Sequence, residues 1–326
     1  MVSVMDHVIE ARGLAKSFAG ADAVRGVDLT VAAGEIVGFL GPNGAGKTTT
    51  LRMLTTLLRP SAGTATVAGR DLTADPAGVR RRIGYVAQGG TTNPACTAMQ
   101  ELVLQARLYR VPDPRARSRE LLERFGLADR VIGTLSGGQK RRLDIALGIV
   151  HTPPLIFLDE PTTGLDPQSR AEVWRHVRRL RDEHGTAVFL TTHYLDEADA
   201  LCDRILIIDQ GRIIGEGTPD ELKRRLSGDI VTVEVDGDTG GARAALEGLP
   251  AVRNVQVTGK TLRITVEHGD RLLIELTRAL DTGGVMPRAI RLTRPTLDDV
   301  FLGARPSKPE RGNGLVSEPG RGNDRA

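Results

Sequence analysis

The chain has 326 residues, a length typical of about two domains. Hydrophobic residues make up 40% and charged residues 26% of the chain, which excludes a disordered or fibrous protein. The 44 basic and 41 acidic residues leave a net charge of only +3, and aromatic residues make up 3%, so no nucleic-acid partner is expected.

In residues 4–226, short apolar and β-branched runs alternate with stretches of helical periodicity. This alternation predicts an α/β domain in which helices cover a buried, mostly parallel sheet. Two early segments, 8–15 and 27–31, alternate polar and apolar residues and predict an antiparallel edge or subdomain. The runs assigned to the parallel sheet are 35–40, 64–68, 83–87, 155–158, 187–190 and 205–208.

Residues 41–48 read GPNGAGKT and lie between the predicted strand 35–40 and a predicted helix at 48–58. This is the context expected of a phosphate-binding loop, in which glycines let backbone N–H groups converge on phosphates. The helix N-terminus adds a partial positive charge, Lys47 reaches the β- and γ-phosphates, and the Thr48 hydroxyl can bind Mg²⁺. The candidate nucleotide-binding residues are Gly41, Pro42, Asn43, Gly44, Ala45, Gly46, Lys47, Thr48 and Thr49.

The strand pattern is absent between Gln88 and Leu135. Two stretches with helical spacing of apolar residues, 99–109 and 115–125, lie there, and Pro112 and Pro114 separate them. The sequence therefore predicts a helical insertion in the α/β domain, at about residues 89–134.

Residues 135–139 read LSGGQ and precede an amphipathic, basic stretch. The Ser136 side chain and the amides of Gly137 and Gly138 would form a second anion site at a helix start. Since the P-loop already encloses the phosphates of its own nucleotide, this second site fits the nucleotide of a partner subunit. The same residues would also serve as a helix cap followed by a tight turn.

Residues 155–160 read LIFLDE, an apolar strand followed by two carboxylates. The strand would deliver Asp159 to its carboxyl end, where open α/β sheets bind ligands.

The order of these motifs resembles that of the ATP-binding cassette (ABC) ATPases, and the resemblance covers about residues 10–223. It implies a P-loop NTPase fold of the ABC type with a helical subdomain, and two cassettes that bind ATP and Mg²⁺ between them. By resemblance, the catalytic residues are Glu160, His193 and Lys47, and the Mg²⁺ ligands are Thr48, Gln88 and Asp159. The residues implied to reach the partner's ATP are Leu135, Ser136, Gly137, Gly138, Gln139 and Asp166.

Further single residues acquire roles from the same resemblance. Phe18 would stack on adenine, with Ala23 and Val24 lining that pocket, and packing of Phe18 in the core is the less favoured alternative. Gln88 would contact ATP as well as the metal ion, and His193 would contact the γ-phosphate. Asp166 would reach the dimer interface and could also cap the helix that starts near Pro167.

The C-terminal third has a different pattern. Residues 228–303 predict the order β-α-β-β-α-β of a small ferredoxin-like α+β module, closed by a short helix at 296–302. The strands are expected at 230–235, 252–257, 262–266 and 289–293, and the helices at 242–247 and 271–280. Residues 304–326 offer almost nothing to bury and predict a disordered tail.

Within the family, the stretches RRLDIALGIVH, EPTTGLDPQSR and RPTLDDVFL resemble the daunorubicin/doxorubicin-resistance type of exporter subunit. This implies an ATPase at the cytoplasmic face of the cell membrane that drives export of a drug or antibiotic-like molecule. No stretch approaches the roughly 18 apolar residues of a membrane span, so a separate permease subunit is expected. A second copy of the chain, or a related cassette, would complete the dimer. Two alternatives stay open: the ATPase of an importer, and a soluble ABC-type ATPase acting on ribosomes or nucleic acid.

Overall fold

The computed structural model describes residues 7–90, 92–227, 229–237, 239–266 and 269–293. Its strands are β1 (His7–Phe18), β2 (Ala21–Ala32), β3 (Ile36–Leu40), β4 (Ala62–Val67), β5 (Arg70–Asp71), β6 (Ile83–Val86), β7 (Leu155–Asp159), β8 (Ala187–Thr192), β9 (Arg204–Asp209), β10 (Arg212–Gly217), β11 (Asp229–Val235), β12 (Val252–Thr258), β13 (Thr261–Val266) and β14 (Pro287–Thr293). The helices are α1 (Lys47–Leu54), α2 (Pro76–Arg82), α3 (Ala98–Leu108), α4 (Pro114–Arg124), α5 (Gly137–Gly148), α6 (Pro167–His184), α7 (Leu195–Leu201), α8 (Pro219–Ser227), α9 (Thr239–Glu247) and α10 (Gly269–Thr282).

A six-stranded sheet with the order β10-β9-β3-β8-β7-β6 forms the centre of the larger unit. The pairs from β9 to β6 are parallel, and β10 adds an antiparallel edge. Every residue of β3, β7 and β8 is buried, which matches their continuous apolar sequences and confirms the predicted parallel sheet. Parallel strands end at one edge, so this sheet brings the segments after β3, β6, β7 and β8 together.

A second sheet, ordered β2-β1-β4-β5, is antiparallel, as the alternating segments 8–15 and 27–31 predicted. The assignment of residues 64–68 to the parallel sheet is wrong. The strand found there, β4, pairs antiparallel with β1, with Ile9 opposite Val67 and Ala11 opposite Ala65. Only Ala65 and Val67 of β4 are buried, because one face of this strand is exposed. The prediction failed because a short alternating run does not identify the partner strand.

The predicted helical insertion is present as α3 and α4, between β6 and α5. A capping box formed by Thr97 and Gln100 begins α3. Pro114 occupies the first turn of α4 after the Asp113 N-cap, so this proline starts the second helix rather than only separating the two. The helix after the P-loop is shorter than predicted and ends at Leu54, followed by Thr56 with a φ of 64° that a continuing helix cannot accommodate.

The C-terminal strands form a third, antiparallel sheet with the order β12-β13-β11-β14, and α9 and α10 complete the predicted β-α-β-β-α-β order. Its hydrophobic cluster includes Val231, Leu262, Ile264 and Leu276. The predicted helix at 296–302 and the predicted tail at 304–326 lie outside the described residues.

Candidate nucleotide-binding site

A cavity of about 560 Å³ lies at the carboxyl edge of the parallel sheet. Segments that follow β3, β6, β7 and β8 converge on it, and β2 contributes one residue. Its lining consists of Ala23, Asn43, Gly44, Gly46, Lys47, Thr48, Thr49, Gln88, Glu160, Thr163 and His193.

The P-loop conformation requires glycine at two positions. Gly46 precedes α1 with a φ of 108°, which side-chain-bearing residues rarely adopt. A Cβ atom at Gly41 would lie 2.3 Å from the carbonyl oxygen of Ile208, so no larger residue fits there. No side chain caps α1, which leaves its first N–H groups facing the loop as an anion site.

The Lys47 ammonium lies in the floor of the cavity. Nζ donates hydrogen bonds to the carbonyl oxygens of Gly41 at 2.7 Å and Pro42 at 3.1 Å, and lies 3.8 Å from Oε1 of Glu160. Burial lowers the pKa of Lys47, and the carboxylates of Glu160 and Asp159 oppose that effect. A buried cation held by neutral acceptors of its own loop can exchange them for a charged phosphate, which forms stronger, charge-assisted hydrogen bonds.

Asp159 ends β7 with its side chain among hydroxyl groups. Its Oδ1 accepts hydrogen bonds from Thr191 at 2.7 Å and from Thr48 at 3.3 Å. One carboxylate and one hydroxyl at this point are the hard oxygen ligands that Mg²⁺ takes together with substrate phosphates. The donor set therefore fits Mg²⁺ in the arrangement of P-loop NTPases.

Four side chains surround the Glu160 carboxylate. Oε2 accepts hydrogen bonds from Nε2 of Gln88 at 2.9 Å and from the Thr163 hydroxyl at 3.1 Å. Oε1 lies 3.2 Å from Nδ1 of His193 and 3.8 Å from the Lys47 ammonium. The structure thus brings the three predicted catalytic residues, Glu160, His193 and Lys47, and the predicted metal ligand Gln88 to one point.

The residues predicted to surround adenine do not all line the cavity. Phe18 is 47% exposed at the end of β1 and does not line the cavity, and Val24 is buried in the core. Ala23, their neighbour on the β1–β2 hairpin, does line it. The remaining predicted P-loop residues, Gly41, Pro42 and Ala45, shape the loop from behind without lining the cavity.

The LSGGQ residues form the N-terminal cap of α5. Ser136 Oγ accepts a hydrogen bond from the Gln139 N–H at 3.2 Å, and the Gln139 side chain accepts one from the Ser136 N–H at 2.9 Å. A Cβ atom at Gly138 would lie 2.4 Å from Oγ of Ser169, so this glycine lets α5 pack against the start of α6. Neither Leu135 nor any other of the residues 135–139 lines the cavity of its own chain.

Asp166 has the predicted capping role. It accepts hydrogen bonds from the N–H of Ser169 at 2.9 Å and from its hydroxyl at 2.7 Å, at the start of α6. The bond from the Ser169 N–H is the main cause that lowers the pKa of Asp166. Asp166 does not line its own chain's cavity either.

Two further threonines of the site, Thr163 and Thr191, have no role that a sequence motif predicts. Thr163 holds Glu160, and Thr191 contacts both Asp159 and the backbone N–H of Glu160, at 3.0 Å. Thr163 follows β7 in a turn and Thr191 lies near the end of β8, and because threonine is common in both places nothing in the pattern distinguishes these two.

Comparison with known proteins adds to this geometry. The family described as ABC transporter matches residues 24–163, and the family described as ATP-binding protein DrrA1-3-like, C-terminal domain, matches residues 217–304. The daunorubicin/doxorubicin resistance ATP-binding protein DrrA of Streptomyces peucetius is 48% identical over 307 residues, which cover 91% of this chain and 92% of that protein. The chain belongs to the ATP-binding proteins of ABC transporters.

Other members of this family agree. The doxorubicin resistance ATP-binding protein of Mycobacterium tuberculosis is 43% identical over 97% of this chain and 99% of its own length, and the linearmycin resistance ATP-binding protein of Bacillus subtilis is 35% identical over 90% and 97%. A solved ABC cassette, dimeric in a post-hydrolysis state with ADP and Pi, matches with a TM-score of 0.60 and 26% identity, covering 64% of this chain and 98% of that one. The protein is therefore an ABC-type ATPase. Within the described residues, no helix has both the length and the apolarity that crossing a membrane requires.

Proposed function

We propose that this ABC ATPase powers an exporter of antibiotic-like small molecules through a separate permease, at the cytoplasmic face of the cell membrane. The relatives from Streptomyces peucetius and Mycobacterium tuberculosis are named for daunorubicin or doxorubicin resistance, and that of Bacillus subtilis for linearmycin resistance. Each similarity covers at least 90% of this chain, so it includes the C-terminal residues as well as the ATPase motifs. We treat 4–226 as the ATPase domain and 228–303 as an accessory domain.

The main support for ATP hydrolysis at this site is the set of contacts that the Glu160 carboxylate makes. Its carboxylate contacts Gln88, Thr163 and His193 within 3.2 Å, which fixes it at the edge of the cavity. Glu160 would polarise the attacking water and His193 would contact the γ-phosphate. The N-terminus of α1 and Lys47 would hold the phosphates.

Thr48, Gln88 and Asp159 would hold Mg²⁺ beside the nucleotide. When bound, the ion would neutralise the negative charge that develops on the phosphate oxygens. The hydrogen bonds from Thr48 and Thr191 orient the Asp159 carboxylate for this role.

A second cassette would complete each site. Residues 135–139 and Asp166 lie outside the cavity of their own chain, although α5 begins with N–H groups suited to an anion. A dimer would place these residues of one chain against the ATP bound by the P-loop of the other. The dimeric state of a related cassette supports this arrangement.

The permease would contact the helical insertion. A groove of about 190 Å³ lies between the end of β6 and helices α3 and α5, and its lining includes Ala87, which directly precedes Gln88. When the γ-phosphate near Gln88 is lost, the backbone that joins Gln88 to this groove would shift. The change in the groove would then move the permease.

The substitution Glu160→Gln tests the chemistry. The amide keeps the shape of the side chain but cannot act as a base, so MgATP affinity should change by less than about twofold while turnover falls about 10²–10⁴-fold. Dimers should accumulate in MgATP, as measured by light scattering. Glu183→Gln, at an exposed ion pair with Arg124, is the matched control. Wild-type turnover by Glu160→Gln would refute the role of Glu160.

A further inference from the structure

The guanidinium of Arg141 is buried beneath the catalytic residues. Arg141 lies on α5, two residues after the LSGGQ motif, and its side chain is only 7% exposed. Its nearest carboxylate is Asp144, 3.9 Å away, a distance beyond hydrogen bonding. Asp144 therefore offsets the charge without a hydrogen bond, and the hydrogen bonds of this buried guanidinium go to backbone carbonyl groups.

Three carbonyl groups accept hydrogen bonds from the guanidinium. Nε donates to Pro161 at 2.7 Å, Nη2 to Asp159 at 3.0 Å, and Nη1 to Ala87 at 2.6 Å. The planar fork of arginine fixes the directions of all three bonds at once, which a single ammonium cannot do. Two of the three carbonyls belong to the residues on either side of Glu160, and the third precedes Gln88.

The backbone at Glu160 needs such support. Its φ of 45° lies in the left-handed region, which costs of order 1–3 kcal/mol for a residue other than glycine and persists only when the surroundings impose it. The Glu160 N–H also donates to the carbonyl oxygen of Thr191 at 3.1 Å and to its hydroxyl at 3.0 Å. Arg141 thus binds the carbonyl groups of the strained turn, and Thr191 binds its N–H group.

The same guanidinium also holds the backbone next to Glu160 close to the backbone next to Gln88. The side chains of these two residues meet at 2.9 Å, although 72 residues separate them in sequence. By binding the carbonyl of Ala87 and those beside Glu160, Arg141 fixes the distance between the two backbone segments. It does so from α5, whose first turn carries Ser136.

We propose that Arg141 is a positioning residue that holds Glu160 and Gln88 in their hydrolytic arrangement and links that arrangement to the helix of the LSGGQ motif. The inference rests on the proposed role of Glu160. It predicts that loss of the guanidinium lowers kcat while nucleotide binding, which depends on the P-loop, is preserved.

The test compares Arg141→Met and Arg141→Lys with Arg117→Met. Arg117 is a matched control because it also binds backbone carbonyls of the α5 region, those of Val150 at 3.2 Å and Ile149 at 3.3 Å, but at the opposite end from LSGGQ. Both Arg141 variants should lower kcat at least about 10-fold, since a displacement near 1 Å can cost about 10²-fold, with KM for ATP within about threefold of wild type. Arg117→Met should lose comparable thermal stability with little change in kcat.

A double-mutant cycle with Glu160→Gln separates positioning from general stability. If Arg141 acts through Glu160, Arg141→Met should lower the residual single-turnover rate of Glu160→Gln by less than about twofold. If Arg141→Met instead lowers the rate of Glu160→Gln by the same factor as it lowers the rate of the wild type, the proposal is overturned. So would a kcat of Arg141→Lys equal to that of wild type, or a loss in Arg141→Met no larger than in Arg117→Met. Wild-type turnover by Glu160→Gln alone would instead refute the role of Glu160.

Discussion

Phe18 differs from the other apolar residues of the β1–β2 hairpin because nearly half of its surface is exposed. The ring is 47% exposed, whereas Val24 and Val27 are 1% exposed. The Lys16 ammonium lies 5.2 Å from the ring centroid, the arrangement of a cation–π contact. An exposed ring on the hairpin that also carries Ala23 is available for stacking on a base, and the alternative of core packing does not fit this exposure.

We therefore expect Phe18→Ala to weaken ATP binding. Loss of one aromatic stacking partner costs of order 1 kcal/mol, or about fivefold in Kd. Titration with a fluorescent ATP analogue measures the effect, and kcat at saturating ATP should stay near the wild-type value. Leu57→Ala removes another exposed apolar side chain, one that lies outside the β1–β2 hairpin, and should leave Kd unchanged. Equal affinities for Phe18→Ala and wild type would exclude the stacking role.

At this scale, sequence motifs identified the residues whose type is tied to chemistry. Lys47, Asp159 and Glu160 stand in patterns that few other functions require, and the structure places them together. Arg141 and Thr163 were missed for a physical reason. Arginine and threonine are ordinary at their positions, and only the packing of α5 shows that Arg141 is buried while the adjacent Arg142 pairs with Glu172 near the surface.

At the scale of elements, the contact between α6 and the end of α4 contains a titratable group. His176 of α6 is 6% exposed and stacks on Phe125, with ring centroids 4.5 Å apart. Burial, together with the charges of Arg142, Arg179, Arg175 and Arg124, lowers the pKa of His176 to about 4. The folded state therefore requires this histidine to be neutral.

The depressed pKa of His176 predicts a loss of stability in acid. Because the folded-state pKa is about 4 and the ordinary value is 6.5, the contribution is fully present above pH 6.5 and is lost as the pH falls through 4. At pH 5 the loss is about 2 kcal/mol relative to pH 7.5. His176→Phe keeps the stack without titrating, so urea unfolding at pH 7.5 and 5 should show a smaller loss. His184→Gln, near the exposed end of α6, should retain the wild-type loss, and an equal loss in His176→Phe would contradict the assignment.

Helices and strands were predictable from the sequence where their own apolar pattern identifies them. The parallel strands have continuous apolar runs, and α3 and α4 have helical spacing, so both kinds of element were found in place. The partner of β4 was not predictable, because the pattern of a six-residue strand with one buried face does not specify which sheet it joins. The end of α1 at Leu54 was not predictable either, because the apolar spacing continues to residue 58 and does not signal the left-handed φ of 64° at Thr56.

At the scale of the whole molecule, the two halves of the proposed reaction chamber lie apart on one chain. Residues 135–139, which begin α5, do not line the P-loop cavity. A chamber assembled between two chains predicts complementation between two inactive variants. Lys47→Ala removes the phosphate contact, and Gly137→Asp places a negative charge where the partner's phosphate would bind.

Gly137→Asp is suited to this test because it should leave the fold intact. A Cβ atom at Gly137 would meet only Leu165, at an ordinary 3.8 Å, and an acidic residue in the first turn of a helix is favourable. Each variant alone should lack ATPase activity, whereas a mixed dimer contains one chamber with both Lys47 and Gly137 intact. With random pairing, an equal mixture should recover about a quarter of the wild-type rate. Pull-down with two tags verifies that mixed dimers form, and inactivity despite mixed dimers would contradict a working chamber assembled from the P-loop of one chain and the LSGGQ residues of the other.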